Sequence, residues 1–560
     1  MRVAVFGSGF LAVVALAGAG FAACSTPIGD RASGDAGLPP PIDAPDADIV
    51  VPVPEKDAGV DAGAGDGGAP AADAGPVDAG VDAALPDAGP LQGFLGDPVR
   101  FRVPGGPGLP SFATRDGLTS SYAWSLVDFD GDRVLDLVQT GALAASGRVA
   151  VLEDAAGTYW RVFRGTPSGF AIPAQRVAVP DSGAADGFFA SSASDGARAW
   201  ALVDLDGDRR PELVQTADAT RADGGVWRDE AGAYWRVYKN SAAGFAAVAT
   251  RFPVPSSGTS LGFSTIASES GAFRWRVVDL DGDGVLDLLQ TANPAIAGGS
   301  VYTDASGPYW RRFRGIAGGP GVTLGFAATL DRVVVPPSGT ADGFFAFSYG
   351  AARPTTRHWV TVDITGDGVL DLVQTADPSV NGGFAWSDSQ GQFWRVFGGD
   401  PSGFARVAAA WRLPSSGLAD GFYAPDAADV GAPRQWDLVD LDGDRASEIV
   451  QTADPSKPGG VVFRDARGPY WRVFKLRAGY TVPVAERLAV PDSSTANGFF
   501  AASVDDGPLG PRAWSLVDLN GDGRLDLVQT ADPSRASLPA TEPRTFSDGA
   551  GTYWRVWLAK

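Results

Sequence analysis

Apolar positions along this chain fall in short runs that recur in one order, separated by Gly, Pro and Asp. One run has the form Trp-x-x-Val-Asp, at 124–128, 275–279 and 514–518. A second ends in Gln-Thr, at 135–140, 213–216 and 525–530. A third joins an aromatic residue to Trp and Arg: Tyr159-Trp160-Arg161, Tyr234-Trp235-Arg236, Tyr309-Trp310-Arg311, Phe393-Trp394-Arg395, Tyr470-Trp471-Arg472 and Tyr553-Trp554-Arg555. A fourth opens on Gly-Phe and ends near Pro, at 169–180, 244–255 and 403–414. Runs this short, bounded by turn formers and without a sustained 3.6-residue period, predict strands and an all-β fold. Four strands per unit, repeated along the chain, predict the blades of a β-propeller. An extra segment between the second and third runs, such as 224–229, has no place in that scheme.

The Asp that closes the first run opens a loop at 128, 204, 279, 363, 440 and 518, so the units are 76, 75, 84, 77 and 78 residues apart. After the third run of the last unit only a few residues remain. The missing fourth run stands at the front instead, where Gly93-Phe94 leads to Val103-Pro104 with the same step from aromatic to Pro. The expectation is a six-bladed propeller over 93–560, with the N-terminal strand as the outermost strand of the last blade. Closing the ring in this way removes two open sheet edges.

The loops carry the chemistry. In the third, Asp279, Asp281, Asp283 and Asp287 stand at positions 1, 3, 5 and 9, with Gly282 at position 4. The first has Asp128, Asp130, Asp132 and Asp136; the second Asp204, Asp206, Asp208 and Glu212. The fourth has Asp363, Thr365, Asp367 and Asp371; the fifth Asp440, Asp442, Asp444 and Glu448; the sixth Asp518, Asn520, Asp522 and Asp526. Every substitution keeps an oxygen at its position. A hard cation such as calcium takes six to eight oxygen ligands, and alternate Asp side chains in a tight turn can converge on one. The Gly allows the bend without a Cβ clash. Without a cation, carboxylates this close repel and raise one another's pKa values. Up to six calcium sites follow, structural rather than catalytic. Loops four and six, one charge poorer, are expected to bind more weakly. An EF-hand is excluded: its Gly belongs at position 6, its last ligand at position 12 is Glu where this chain has Gln139, Gln290 or Gln529, and it needs flanking helices.

These Asp-rich loops, followed later by Gly-Phe, resemble FG-GAP or VCBS-type repeats over 93–560. The resemblance implies calcium-bearing β-propellers of the kind found in integrin α-subunits, some lectins and secreted bacterial proteins. It leaves the ligand open.

Composition changes sharply before residue 93. Residues 1–23 read as an export signal, with Arg2 ahead of an apolar run that ends at Ala22-Ala23. Phe21-Ala22-Ala23-Cys24 resembles a bacterial lipobox, which implies lipidation of Cys24, the one cysteine, and anchoring in a membrane, with the outer membrane favoured. Phe21 departs from the usual aliphatic residue, and an ordinary secretory signal is the alternative. Residues 24–92 form an Ala, Asp, Gly and Pro-rich tether, expected to be disordered because it has too little apolar surface to offset the entropy of ordering. Its 13 acidic and two basic residues account for half of the chain's net charge of -21.

Function follows by elimination. A chain this acidic, without a basic stripe, does not fit nucleic acid. One histidine, His358, and one cysteine leave no Cys/His zinc site and no His–Cys triad. The chain is therefore expected not to be an enzyme but a monomeric extracytoplasmic binding or adhesion module, recognising a glycan or a surface protein. A scaffold in an envelope assembly is the alternative, and a carbohydrate-active enzyme the third reading. Asp218, Asp377, Asp454 and Asp532, with Asp186, Asp342 and Asp420, would give the face opposite the loops an acidic, aromatic-edged character; as ordinary turn residues they would do no more than start turns. Arg161 and its counterparts are expected to cover aromatic rings.

Overall fold

The structure, a computed structural model, describes residues 93–559 except for 95, 106–123, 144–148, 185–186, 190–199, 222, 266, 269–273, 297–298, 317–323, 342, 346–358, 381–383, 420, 424–435, 458–459, 477–482, 496, 501–513 and 536–544. The export signal, Cys24, the tether, His358, Asp186, Asp342 and Asp420 lie outside the described residues. The fold is all-β, with small four-stranded antiparallel sheets in a β-propeller arrangement. Among the described residues the one helical element is a single 3-10 turn, Pro533–Arg535.

The second repeat shows the plan. Trp200–Val203 pairs with Glu212–Gln215, that strand with Gly232–Tyr238, and the last with Thr250–Pro253. The two inner strands, WALV and ELVQ, are buried along their whole length, so they read as unbroken apolar runs. The outer strand alternates, with Phe252 buried between more exposed neighbours. The same order recurs from Trp124–Val127, Trp275–Val278, Trp359–Val362 and Trp436–Val439 onward. From Trp514–Val517 the set runs to Asp526–Gln529 and Gly551–Trp557, and its fourth strand is Val99–Arg102. Val99 pairs with Val556 and Arg102 with Tyr553, antiparallel, as the N-terminal run predicts.

Two details differ from the sequence reading. The fourth run is not one strand. Its Gly-Phe start folds back on the residues after the third strand, as Gly244–Phe245 does on Asn240–Ser241, and the outer strand begins later. The extra segment also has a definite place. Trp227–Asp229 turns back on Gly232–Tyr238 as a hairpin, at the end of the sheet away from the Asp loop. Equivalent hairpin strands are Tyr302–Asp304, Trp386–Asp388, Phe463–Asp465 and Phe546–Asp548.

Packing between repeats is aromatic. Each strand-three Trp is almost fully buried, and Trp160, Trp310, Trp394 and Trp471 lie on Trp200, Trp359, Trp436 and Trp514 of the following repeat at 5.4–5.7 Å. The indole N–H groups of Trp160, Trp235, Trp310, Trp394 and Trp471 donate to the carbonyls of Phe188, Phe263, Phe344, Phe422 and Phe499 at 2.5–2.7 Å. Among the described residues six apolar clusters result, each shared by two successive repeats. One joins the last to the first, with Trp554, Val517 and Leu519 against Phe101, Leu126 and Phe170. The buried Gln of Gln-Thr ties repeats as well. The side-chain amides of Gln215, Gln290, Gln374 and Gln451 donate to Ser182, Ser257, Ser338 and Ser416 carbonyls in the connections between repeats, at 2.7–2.9 Å.

Along the rim, Arg of the outer strand grips Asp of the hairpin. Arg251 donates to both Asp229 oxygens at 2.8 and 3.0 Å and covers the Tyr234 ring at 4.9 Å. On the other side of that ring lies Trp227, and beyond it Arg236. The stack Arg–aromatic–aromatic–Arg recurs as Arg332, Tyr309, Tyr302 and Arg311, and as Arg100, Tyr553, Phe546 and Arg555. Arg236, Arg311 and Arg555 thus cover rings, as expected from the sequence.

Candidate metal loops

Each Asp loop joins the two innermost strands of its repeat, and its first carboxylate shapes it. Asp279 Oδ1 accepts from the N–H of Gly282 at 2.8 Å, and Oδ2 from that of Gly284 at 2.9 Å. Asp128, Asp204, Asp363, Asp440 and Asp518 clamp positions 4 and 6 of their loops in the same way, at 2.7–3.0 Å. The clamp requires a left-handed residue at position 6. Gly284, Gly368 and Gly523 supply it in three loops; Arg133, Arg209 and Arg445 adopt it, at φ 74–77°, in the others. At position 5, Asp132, Asp208, Asp283, Asp367, Asp444 and Asp522 each accept from the N–H two residues on, at 2.8–2.9 Å.

Position 9 lies deepest. Asp136, Glu212, Asp287, Asp371, Glu448 and Asp526 are all buried. In repeats one, three and four the carboxylate accepts from the N–H of Gly165, Gly315 or Gly399, just past strand three, at 2.7–2.9 Å. In these three repeats a Cβ would stand 2.1–2.4 Å from the carbonyl oxygen of Leu135, Leu286 or Leu370, whereas in repeat six the N–H of Ala559 makes the same bond to Asp526 at 3.0 Å. Repeats two and five carry Asn240 and Leu476 instead, and there position 9 is the longer Glu.

Burial, above all, raises these acids. Asp136 and Asp371 are pushed up to about 6, Asp287 and Asp526 to about 7, and Glu212 and Glu448 to about 8. Asp440 and Asp518 rise to about 6, and Asp128, Asp204 and Asp279 rise too, by burial against their backbone hydrogen bonds.

Carboxylate oxygens converge within 4.8 Å at Asp128, Asp130 and Asp132; at Asp204, Asp206 and Glu212; at Asp279, Asp281 and Asp283; and at Asp440, Asp442 and Glu448. Several acidic clusters could therefore hold a metal ion. Buried oxygens without a hydrogen-bond or ion-pair partner remain on Asp130 and Asp281, so loops one and three have acceptor capacity that the protein leaves open; the other unbonded oxygens, on Glu212 and Asp287, lie 3.5 and 3.7 Å from Lys239 and Arg312. The donor set, all oxygen and mostly carboxylate, fits a hard cation such as calcium. In loops four and six the position-3 side chains turn to neighbouring acids instead: Thr365 Oγ1 reaches Asp363 at 3.4 Å, and Asn520 Nδ2 donates to Asp522 at 3.0 Å.

The sequence reading missed the cations. Arg164 reaches Asp130 at 2.8 Å and Asp136 at 3.0 Å. Lys239 pairs with Asp206, with Asp208 at 2.9 Å and with Glu212 at 3.5 Å. Arg314 lies 3.2 Å from Asp281, and the buried Arg312 contacts Asp281 at 2.9 Å and Asp287 at 3.7 Å. Lys475 meets Asp442 at 2.5 Å and Asp444 at 3.6 Å. Burial pulls Lys239 and Lys475 down, but their carboxylate partners more than reverse it and leave both raised. The available signal was the basic residue that directly follows the strand-three aromatic, as in Phe163-Arg164 and Tyr238-Lys239.

The loops also touch in succession. A Cβ on Gly282 would meet the Gly368 carbonyl oxygen at 2.5 Å, one on Gly443 that of Gly523 at 2.6 Å, and one on Gly521 that of Arg133 at 2.7 Å. The position-4 Gly therefore serves both its own bend and the fit against the next loop. At the far end, Asp218, Asp377, Asp454 and Asp532 each accept from the N–H and hydroxyl of Thr220, Ser379, Ser456 or Ser534 at 2.7–3.0 Å, as turn residues do.

No family model matches the chain, and no curated protein matches its sequence. Among solved structures, one similar to it is an Agrocybe aegerita lectin whose description is specific recognition of non-reducing terminal N-acetylglucosamine. The TM-score is 0.36 at 17% identity, over 74% of this chain and 77% of that one.

Proposed function

We propose that residues 93–560 form a closed, six-bladed propeller of the FG-GAP/VCBS type, stabilised by calcium in the Asp loops, that acts as a recognition module rather than an enzyme. Closure is supported by the apolar cluster that joins the last repeat to the first and by the contact of Gly521 with Arg133. The observation that carries the functional reading is repetition. The buried acids, the rim Arg–Asp pairs and the strand-three Trp occupy equivalent positions in successive repeats, whereas an active site needs one distinctive constellation. Equivalent surfaces suit binding to a repeated ligand, where linked weak contacts add avidity. The ligand we favour is a glycan or a protein at the cell surface, reached from the hairpin side, with the chain lipidated at Cys24 and held off an outer membrane by the acidic tether.

The test is binding of the full chain to a broad glycan panel in calcium and in chelator, with melting temperature read in both. Calcium-dependent binding to a defined sugar set supports a lectin-like adhesin. A calcium-dependent thermal shift without sugar binding turns the search to protein partners. No thermal shift sinks the calcium reading.

A further inference from the structure

Comparing the six repeats shows a pairing between two positions far apart in each. The residue that directly follows the last aromatic of strand three is Arg164, Lys239, Arg314, Gly398, Lys475 and Leu558 in turn. Position 3 of the loop is Asp130, Asp206, Asp281, Thr365, Asp442 and Asn520. A cation stands wherever position 3 is Asp, and a neutral residue wherever it is Thr or Asn. The structure gives the reason: each of the four cations reaches the position-3 carboxylate of its own loop. One positive charge is thus added where one negative charge is added, and in loop three the buried Arg312 adds a second beside Asp281 and Asp287.

The placement bears on metal binding. Lys239 Nζ lies among Asp206, Asp208 and Glu212, ligand positions 3, 5 and 9, the same oxygens a metal ion would need. Lys475 Nζ stands likewise among Asp442, Asp444 and Glu448. An ammonium with three donors is a compact stand-in for a small cation. Because it is tethered, a free ion must displace it before taking the site.

We propose that Arg164, Lys239, Arg314 and Lys475 are built-in counter-cations that hold loops one, two, three and five together without a metal ion and compete with calcium for them. This rests on the calcium reading above and reverses one expectation from the sequence: loops four and six, poorer in charge, have the neutral Gly398 and Leu558 where the other loops have the competing cation.

The experiment uses the full chain and calcium itself, titrated calorimetrically, with melting temperature measured in chelator and in calcium. Lys239→Met is expected to melt below wild type in chelator, to recover in calcium, and to bind calcium at loop two about ten- to a hundredfold more tightly, the scale of a lost charge-assisted hydrogen bond. Lys239→Arg should behave as wild type. Moving the pair into loop six, as Asn520→Asp with Leu558→Lys, should weaken calcium binding there by about tenfold or more and serves if Lys239→Met does not fold. Wild-type calcium binding that neither change alters overturns the proposal and leaves the calcium reading intact. If no protein binds calcium, the calcium reading and the competition fall together, while a lower melting temperature of Lys239→Met in chelator, absent in Lys239→Arg, upholds the counter-cation role.

Discussion

Phe101→Ala tests whether the N-terminal strand belongs to the last blade. Phe101 is 2% exposed, stacks on Trp554 at 6.4 Å and 12°, and meets Phe170 edge-on at 5.1 Å. Phe252, at the same place in repeat two, is also 2% exposed, stacks on Trp235 at 5.8 Å and 11°, and meets Phe326 edge-on at 5.0 Å. Two rings in matching surroundings should have equal value, although Phe252 is local to its partner and Phe101 is joined to its own through almost the whole chain. Truncating a buried Phe costs about 3–5 kcal/mol. Unfolding entropy of about 2.1 cal/mol/K per residue gives roughly 1 kcal/mol/K for a domain of this length, so each variant should lose about 3–5 °C in calorimetry. Equal losses are expected. A normal loss for Phe252→Ala with none for Phe101→Ala would mean that the first strand contributes nothing to the last sheet, and the closure argument would fail.

The remaining predictions concern the loops and the ties between repeats. In chelator, Glu212 and Glu448, raised to about 8, and Asp287 and Asp526, raised to about 7, keep protons in the folded state that the unfolded chain loses near 4.5 and 3.8. The folded state then binds more protons across that window, so stability falls as pH rises from about 4 to about 8. The melting temperature should be higher at pH 5 than at pH 8, and calcium should recover most at the upper end; a rise toward pH 8 in chelator contradicts the burial argument. Gly315→Ala places a Cβ 2.4 Å from the Leu286 carbonyl oxygen and should cost about 1–3 kcal/mol as an overpacking change, read by urea denaturation. The same change at Gly232, where no atom of the described residues lies within 4 Å of a Cβ, should cost only its left-handed strain, about 1–2 kcal/mol. Gln290→Leu strips the Ser257 carbonyl of a 2.9 Å donor in a fully buried place and should destabilise by about 1–3 kcal/mol.

Much of this architecture was legible because it depends on local patterns. Trp-x-x-Val before an Asp loop and Gln-Thr after it mark the two inner strands, buried on both faces and therefore continuous in apolar character. The front run at Phe101 carries the same aromatic-to-Pro step as the runs at 169–180, 244–255 and 403–414, so its place as a fourth strand could be read without contacts. What escaped depends on residues that meet only after folding. Lys239 follows Asp206 by 33 positions and reads in isolation as a surface lysine. Arg133, Arg209 and Arg445 occupy a conformation that composition assigns to Gly. The hairpin at Trp227 was invisible as a unit because it is three residues long and gains its order from Tyr234 and Arg236 beside it.

The pairing of Val99–Arg102 with Gly551–Trp557 also sets a timetable. The earliest strand of the domain to leave the ribosome must wait for the last, with some 449 residues made in between, as the hydrogen bond from Thr552 to Val103 measures. Until then Phe101 and Val103 on one side, and Trp554 and Val556 on the other, lack their cover, an exposure that favours misassociation. Once joined, neither end can peel away without breaking the other's contacts. Hydrogen exchange at the two terminal strands should then be as slow as in the interior, where chain ends ordinarily fray first.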